Sequence, residues 1–190
     1  MIDSLCDRAR GQNVAVTCFY FDFAVQKEQS PTSVLGALLK QVVYGMEKVP
    51  EEIAQAYEDQ KRVIGGRRLG LADIAKMLQI ASSKKPTFIC IDALDECVLG
   101  NRVKLLDSLN QILRDSPSTR IFITGRPQIG PEITRRLAGK VTTLSISPKR
   151  NDIIRYLHTK LDEDTNPEAM EVVWKRISLR EFLKIFPRCR

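Results

Sequence analysis

Thr87-Phe88-Ile89-Cys90-Ile91-Asp92-Ala93-Leu94-Asp95-Glu96-Cys97 decides the reading of this chain. An apolar run ends abruptly in three carboxylates spread over five positions. A strand buried on both faces reads as a near-continuous apolar stretch rather than an alternating one. Acids placed directly after it arrive at the rim of a sheet, where a hydrated Mg²⁺ and nucleotide phosphates can be held. Such acids usually work with a glycine-rich phosphate loop, G-x-x-x-x-G-K-[ST]. The 190 residues contain no such sequence.

On either side of this stretch, strand and helix signals alternate. Val14 to Phe23 is β-branched and aromatic and predicts a strand. Ser30-Pro31 supplies an N-cap and a first-turn proline. Val34, Leu35, Leu38, Leu39, Val42, Val43 and Met46 then share one helical face. Further helices are predicted at Glu51–Val63, Leu71–Ala81, Arg102–Leu113 and Pro131–Leu137, and one capped by Asn151-Asp152. Ile2–Arg10 reads as the last turns of a helix that stops at Gly11. Thr119–Thr124 and Val141–Ile146 are the remaining expected strands. Alternation of this kind predicts an α/β fold, a parallel sheet with helices on both faces. Ligands of such sheets bind at the carboxyl ends of the strands. Asp92, Asp95, Glu96 and Arg126 all fall there.

Composition sets limits on the function. The chain is 43% hydrophobic and 28% charged, ordinary for a soluble globular protein. Its formal charge of +7 suits acidic partners such as nucleotide phosphates. The basic residues come in scattered pairs (Lys61-Arg62, Arg67-Arg68, Arg135-Arg136, Lys149-Arg150), a pattern that solvated helix faces explain, so nucleic acid is disfavoured as a partner. Five cysteines without a C-x₂-C pair, and a single histidine, His158, argue against zinc. The odd cysteine count suits reduced thiols and a cytoplasmic location. No signal peptide is evident, and the longest apolar stretch, interrupted by Asp22, is too short to span a bilayer.

The residues allow two readings of the acids. Asp92 at a strand end suits Mg²⁺, usually through water, and Asp95 or Glu96 could orient or deprotonate an attacking water. The plainer reading has Asp92 ending a strand while Asp95 and Glu96 solvate a loop. Arg126 divides in the same way. Its planar fork matches phosphate oxygens, but loop arginines are common. Asp92 and Arg126 gain weight together, because both would lie on one rim.

At these residues the chain resembles a known family. Ile-Asp-Ala-Leu-Asp-Glu-Cys at 91–97 looks like the Walker B motif of NACHT-type signalling NTPases, the STAND class of P-loop ATPases. Thr-Gly-Arg-Pro at 124–127 resembles their sensor-1 motif. The 19–23 strand and the segment from Leu144 to Ile153 fit as well. The likeness covers about residues 2–168 and is strongest to the fungal branch with a nephrocystin-3-like N-terminal domain, found in vegetative-incompatibility-type proteins, often before ankyrin or WD repeats.

The resemblance implies a P-loop NTPase (ASCE-type) three-layer sandwich. It implies a switch that binds ATP or GTP with Mg²⁺, hydrolyses it slowly and self-associates. Asp92 becomes the Mg²⁺ residue, Asp95 and Glu96 the water-activating pair, and Arg126 the sensor. Against that pattern the first strand and the phosphate loop are missing, and the chain reads as truncated. Residues 1–148 form the partial core. Residues 149–190 begin a helical region with a divergent tail from about 172. Catalysis by this chain alone is not expected, since backbone amides and a lysine normally hold the β- and γ-phosphates. The other expectation is a non-catalytic module that docks onto related full-length NACHT proteins.

Overall fold

The computed structural model describes residues 5, 7, 9, 11–62, 69–137, 141–147 and 149–162. Three parallel strands, β1 (Ala15–Tyr20), β2 (Thr87–Asp92) and β3 (Thr119–Ile123), pair in sequential order with β2 in the middle. Ala15 stands opposite Thr87, and Thr87 opposite Thr119, so the three carboxyl ends lie level. Between β1 and β2 run helices α1 (Pro31–Tyr44), α2 (Glu51–Arg62) and α3 (Leu71–Lys84). Helix α4 (Leu99–Asp115) connects β2 to β3, and α5 (Gly130–Arg136) follows β3. This is the expected α/β class. The chain divides into two compact units, Met1–Thr143 and Leu144–Arg190. The described helix of the second unit is α6 (Arg150–Asp162).

The helices start where local chemistry stops the chain from doing otherwise. Ser30 is extended, its Oγ accepts from the Ser33 amide at 3.1 Å, and Pro31 occupies the first turn of α1. Gly70 opens α3, and its amide donates to the Asp73 carboxylate at 3.0 Å. Helix α2 carries Glu51 and Glu52 in its first turn and Lys61 and Arg62 in its last, matching the helix dipole at both ends.

The core lies on one face of the sheet. Ala15 and Thr17 of β1, Thr87, Ile89 and Ile91 of β2 and Thr119 of β3 are buried there. Over them pack Val34, Leu35, Leu38 and Val42 from α1, Ile74, Met77, Leu78 and Ala81 from α3, and Leu105, Leu106, Leu109 and Ile112 from α4. The helical period predicted these faces, except that Leu105 is buried too. Thr17 spends its hydroxyl on the Leu38 carbonyl at 3.2 Å, so its burial leaves no unmet donor. The opposite face carries Cys90, which is buried, and the Phe88–Phe122 ring pair, with centroids 6.1 Å apart. The expected helix Ile2–Arg10 lies largely outside the described residues; Leu5, Asp7 and Ala9 are helical.

At the edge of β1 that no described strand pairs with, a side chain takes up the main chain. The Gln41 amide accepts from the Cys18 N–H at 2.9 Å and donates to the Cys18 carbonyl at 2.8 Å. One glutamine thereby satisfies both main-chain groups of an edge residue.

Two expected boundaries need correction. The first strand ends at Tyr20 rather than Phe23, because Asp22 turns the chain: its Oδ1 accepts from the Ala24 amide at 2.8 Å and caps a 3₁₀ turn at Phe23–Val25. The expected strand Val141–Ile146 has no regular structure. Val141, Leu144 and Ile146 are 38, 80 and 83% exposed. Alternating apolar residues make a strand only beside an edge that takes up the ladder, and no described strand pairs with this one. The end of the expected helix Glu51–Val63 and the tail from about 172 fall outside the described residues.

Ile89 is fully buried in the middle strand. Ile89→Ala should cost about 2–5 kcal/mol, through lost transfer energy and the cavity left behind. Urea denaturation of the two proteins would measure it as a lower midpoint at unchanged slope.

Candidate functional site

The level carboxyl ends of β2 and β3 bring the two motif loops side by side. Asp92 is the last residue of β2, on the face opposite the core. The chain then turns sharply, with Ala93 left-handed at φ 53° and ψ 43°. For a residue with a Cβ that conformation costs about 1–2 kcal/mol. A 3₁₀ turn follows at Leu94–Glu96 and carries the remaining acids.

The loop after β3 holds this turn in shape. The Thr124 amide donates to the Ile91 carbonyl at 2.9 Å, and its own carbonyl accepts from the Leu94 amide at 3.0 Å. Its hydroxyl accepts from the Ala93 amide at 3.1 Å and donates to Asp92 Oδ1. Thr124 therefore spends its amide, its carbonyl and its hydroxyl on residues 91–94. Sequence reasoning passed it over in favour of Arg126. The available signal was its place: a polar residue directly after an apolar strand, one step beyond the Ile91–Ile123 pair and thus beside Asp92.

The other three candidates are distributed along the same rim. Asp95 Oδ1 accepts from the Arg126 amide at 3.2 Å, and its Oδ2 lies 3.3 Å from Arg126 Nε. The Asp95 side chain is 10% exposed and that of Arg126 73%. A pair this open to water stabilises the fold by at most about 1 kcal/mol. Glu96 faces the other way. Its Oε2 accepts from the Phe23 amide at 2.9 Å, and its carbonyl accepts from Gln26 Nε2. Asp92 and Arg126 share the rim through the 124–126 loop, but Asp95 and Glu96 do not point at a common place. Each fastens a different neighbouring loop.

Downstream, a partly buried ionic chain joins α4 to α5. Arg102 Nε donates to Glu132 Oε2 at 2.8 Å, and its NH1 donates to the Cys97 carbonyl at 3.1 Å. Arg136 reaches Asp107 Oδ1 at 2.8 Å. Burial pushes the Cys97 thiol from its ordinary 9.0 up to about 11; Arg102 pulls it down and Glu132 pushes it up, both to a smaller degree. Cys97 is an unreactive thiol at neutral pH.

Among the described residues no three of His, Cys, Asp and Glu gather as a metal-binding group. Mg²⁺, which keeps several waters and takes one or two protein carboxylates, does not require such a group. Asp92 offers such an oxygen. With Oδ1 engaged by Thr124, its Oδ2 accepts from no described residue.

A parallel α/β sheet with carboxylates and an arginine on its carboxyl rim defines the class of the domain. The family model described as nephrocystin 3, N-terminal, matches residues 1–126, and the chain belongs to that family. Among solved structures it is similar in fold to the Orc1 protein of Aeropyrum pernix, determined in complex with DNA. The TM-score is 0.51 and the identity 20%, over 85% of this chain and 38% of that one. The Walker-type ATPase of Pyrococcus abyssi matches with a TM-score of 0.44 and 10% identity, over 93% of this chain and 62% of that one. The chain thus spans less than two thirds of either structure. No curated protein matches it.

Gly125 belongs to the loop after β3, and a Cβ there would come within 2.5 Å of Ile129 Cδ1 and 3.2 Å of Asp95 Oδ1. Gly125→Ala is expected to destabilise the fold by about 1–3 kcal/mol through overpacking, read as a lower thermal midpoint. The Cys97 thiol gives a pH dependence of definite sign. The unfolded thiol ionises from about pH 9 and the folded one from about pH 11, so its contribution is intact below 9 and is lost as pH rises between the two. The difference in stability between the parent and Cys97→Ala should shift by roughly 1–3 kcal/mol across that interval, measured by denaturant titration at each pH.

Proposed function

We propose that this domain is part of a nucleotide-dependent signalling switch of the NACHT class, which takes Mg²⁺ with ATP or GTP at the carboxyl rim of its sheet. The observation that carries the reading is the presence on a single stitched rim of Asp92, whose Oδ2 accepts from no described residue, and the exposed guanidinium of Arg126. Asp92 would hold the hydrated cation. When bound, the cation would supply charge neutralisation for the phosphates. Arg126 would turn from Asp95 to the terminal phosphate, whose oxygens suit its fork. That turn would release Asp95 to orient a water, while Glu96 continues to hold the Phe23 loop. The fungal and STAND affiliations, a cytoplasmic location and self-association belong to the same proposal. No described helix is long and apolar enough to cross a membrane.

A second reading, a non-catalytic module that docks onto full-length NACHT relatives, has two observations in its favour. Asp95 and Glu96 both accept main-chain amides and so already serve as fasteners. The chain also carries no G-x-x-x-x-G-K-[ST] sequence to cradle phosphates.

A thermal melt with and without Mg·ATP separates the two readings. At a hundredfold excess over Kd, binding should stabilise the fold by about 2.7 kcal/mol. The switch reading expects that shift in the parent and its loss in Asp92→Ala. A cooperative melt that ignores Mg·ATP and Mg·GTP would rule the switch out and leave the docking module.

A further inference from the structure

We propose that Cys18 and Cys90 are a redox pair that closes, on oxidation, into a reversible disulfide clamping the edge strand β1 to the middle strand β2. The inference is independent of the nucleotide reading.

The sheet register places the two side by side. Cys18 of β1 stands directly opposite Cys90 of β2. Side chains alternate along a strand. Thr17, Ile89 and Ile91 face the core, so Cys18 and Cys90 share the opposite face. They lie just below the Tyr20–Asp92 pair at the rim. Both are thiols in the structure, Cys18 half-buried and Cys90 buried.

Paired strands run about 4.7–4.9 Å apart. That spacing lies inside the roughly 4.4–6.8 Å spanned by the Cα atoms of disulfides. The Cβ atoms of a bridge come closer, to about 3.5–4.5 Å, so β1 has to draw slightly toward β2. An edge strand can make that movement. No described strand pairs with the other side of β1, and at Cys18 the Gln41 amide covers the main chain there. A bridge closed against such a pull is easily reduced, as labile, regulatory disulfides are.

The two thiols divide the chemistry. The Cys18 thiol donates weakly to Gln41 Oε1 at 3.8 Å, which holds it toward the edge of the sheet, where an oxidant can reach it. With hydrogen peroxide as the oxidant, the Cys18 sulfur attacks one peroxide oxygen and the O–O bond breaks. The thiol proton leaves with the departing hydroxide as water, and the sulfur, two electrons poorer, is a sulfenic acid. A χ1 rotation turns it from Gln41 to Cys90. The Cys90 sulfur attacks that of Cys18, the S–O bond breaks, and hydroxide leaves with the Cys90 proton as a second water. Cys97 lies beyond the strand, in the acid-rich turn, and is the less reactive thiol described above.

The test exposes the full folded chain to a small excess of hydrogen peroxide. Remaining thiols are then blocked with N-ethylmaleimide, and disulfides are mapped by fragmentation mass spectrometry without reduction. The expected result is a Cys18–Cys90 linked peptide that dithiothreitol releases and that Cys18→Ser lacks. In Cys90→Ala the sulfenic acid has no resolving thiol, so its capture by dimedone at Cys18 should rise several-fold over the parent. The link itself is read in the parent and does not depend on how the variants fold. The pair is overturned if Cys18 in the folded parent stays unmodified or stops at a sulfenic or sulfinic acid. It is equally overturned if Cys18 links instead to Cys6, Cys97 or Cys189, or if the Cys18–Cys90 link forms only in urea.

Discussion

The middle strand has to be apolar along its length and polar at its end, and most of the molecule follows from that constraint. β2 is paired on both sides, so its main-chain groups are satisfied by β1 and β3 and its side chains must fill space. Ile89 and Ile91 do so toward α1, α3 and α4, and Cys90 does so on the other face. The first side chain free of that demand is Asp92. The strand therefore does more than hold the acids: its burial fixes where they begin, and its level register with β3 fixes what stands next to them.

The neighbour turns out to be Thr124, and its four bonds make the two motif loops one structural unit. Asp95 extends the same union through the Arg126 amide and guanidinium, and Arg102 anchors its far end at the Cys97 carbonyl. Glu96 ties the unit to the loop after β1. The acid-rich turn is thus fastened by its neighbours at Asp92, Asp95, Glu96 and Cys97. That arrangement accounts for a non-glycine residue holding a left-handed conformation at Ala93.

The sequence was readable wherever one period or one strand-end rule governed. The faces of α1 and α3, the N-cap at Ser30, the strand before Asp92 and the rim position of Arg126 all followed from local pattern. What was not readable depended on partners distant in sequence. Val141–Ile146 has the composition of a strand, but composition cannot supply an edge to pair with. Asp95 and Glu96 are adjacent in sequence and looked like a working pair. A 3₁₀ turn sends their side chains to different loops, a separation that only the tertiary contacts of Arg126 and Phe23 reveal. Thr124 was missed because its importance lies in register, one step past a cross-strand pair, and not in its residue type.

The Gln41 amide on β1 has a consequence for how the sheet can grow. An exposed edge strand invites another chain to add to it, a common route to aggregation. Here any incoming strand would have to displace a side chain that already satisfies both main-chain groups of Cys18, near the centre of the edge. Sheet extension on that side is discouraged from within the same chain, by a residue whose place on α1 is fixed by the burial of Leu38 and Val42 beside it. Among the described residues, β1 thus carries its own obstacle to strand addition on that side.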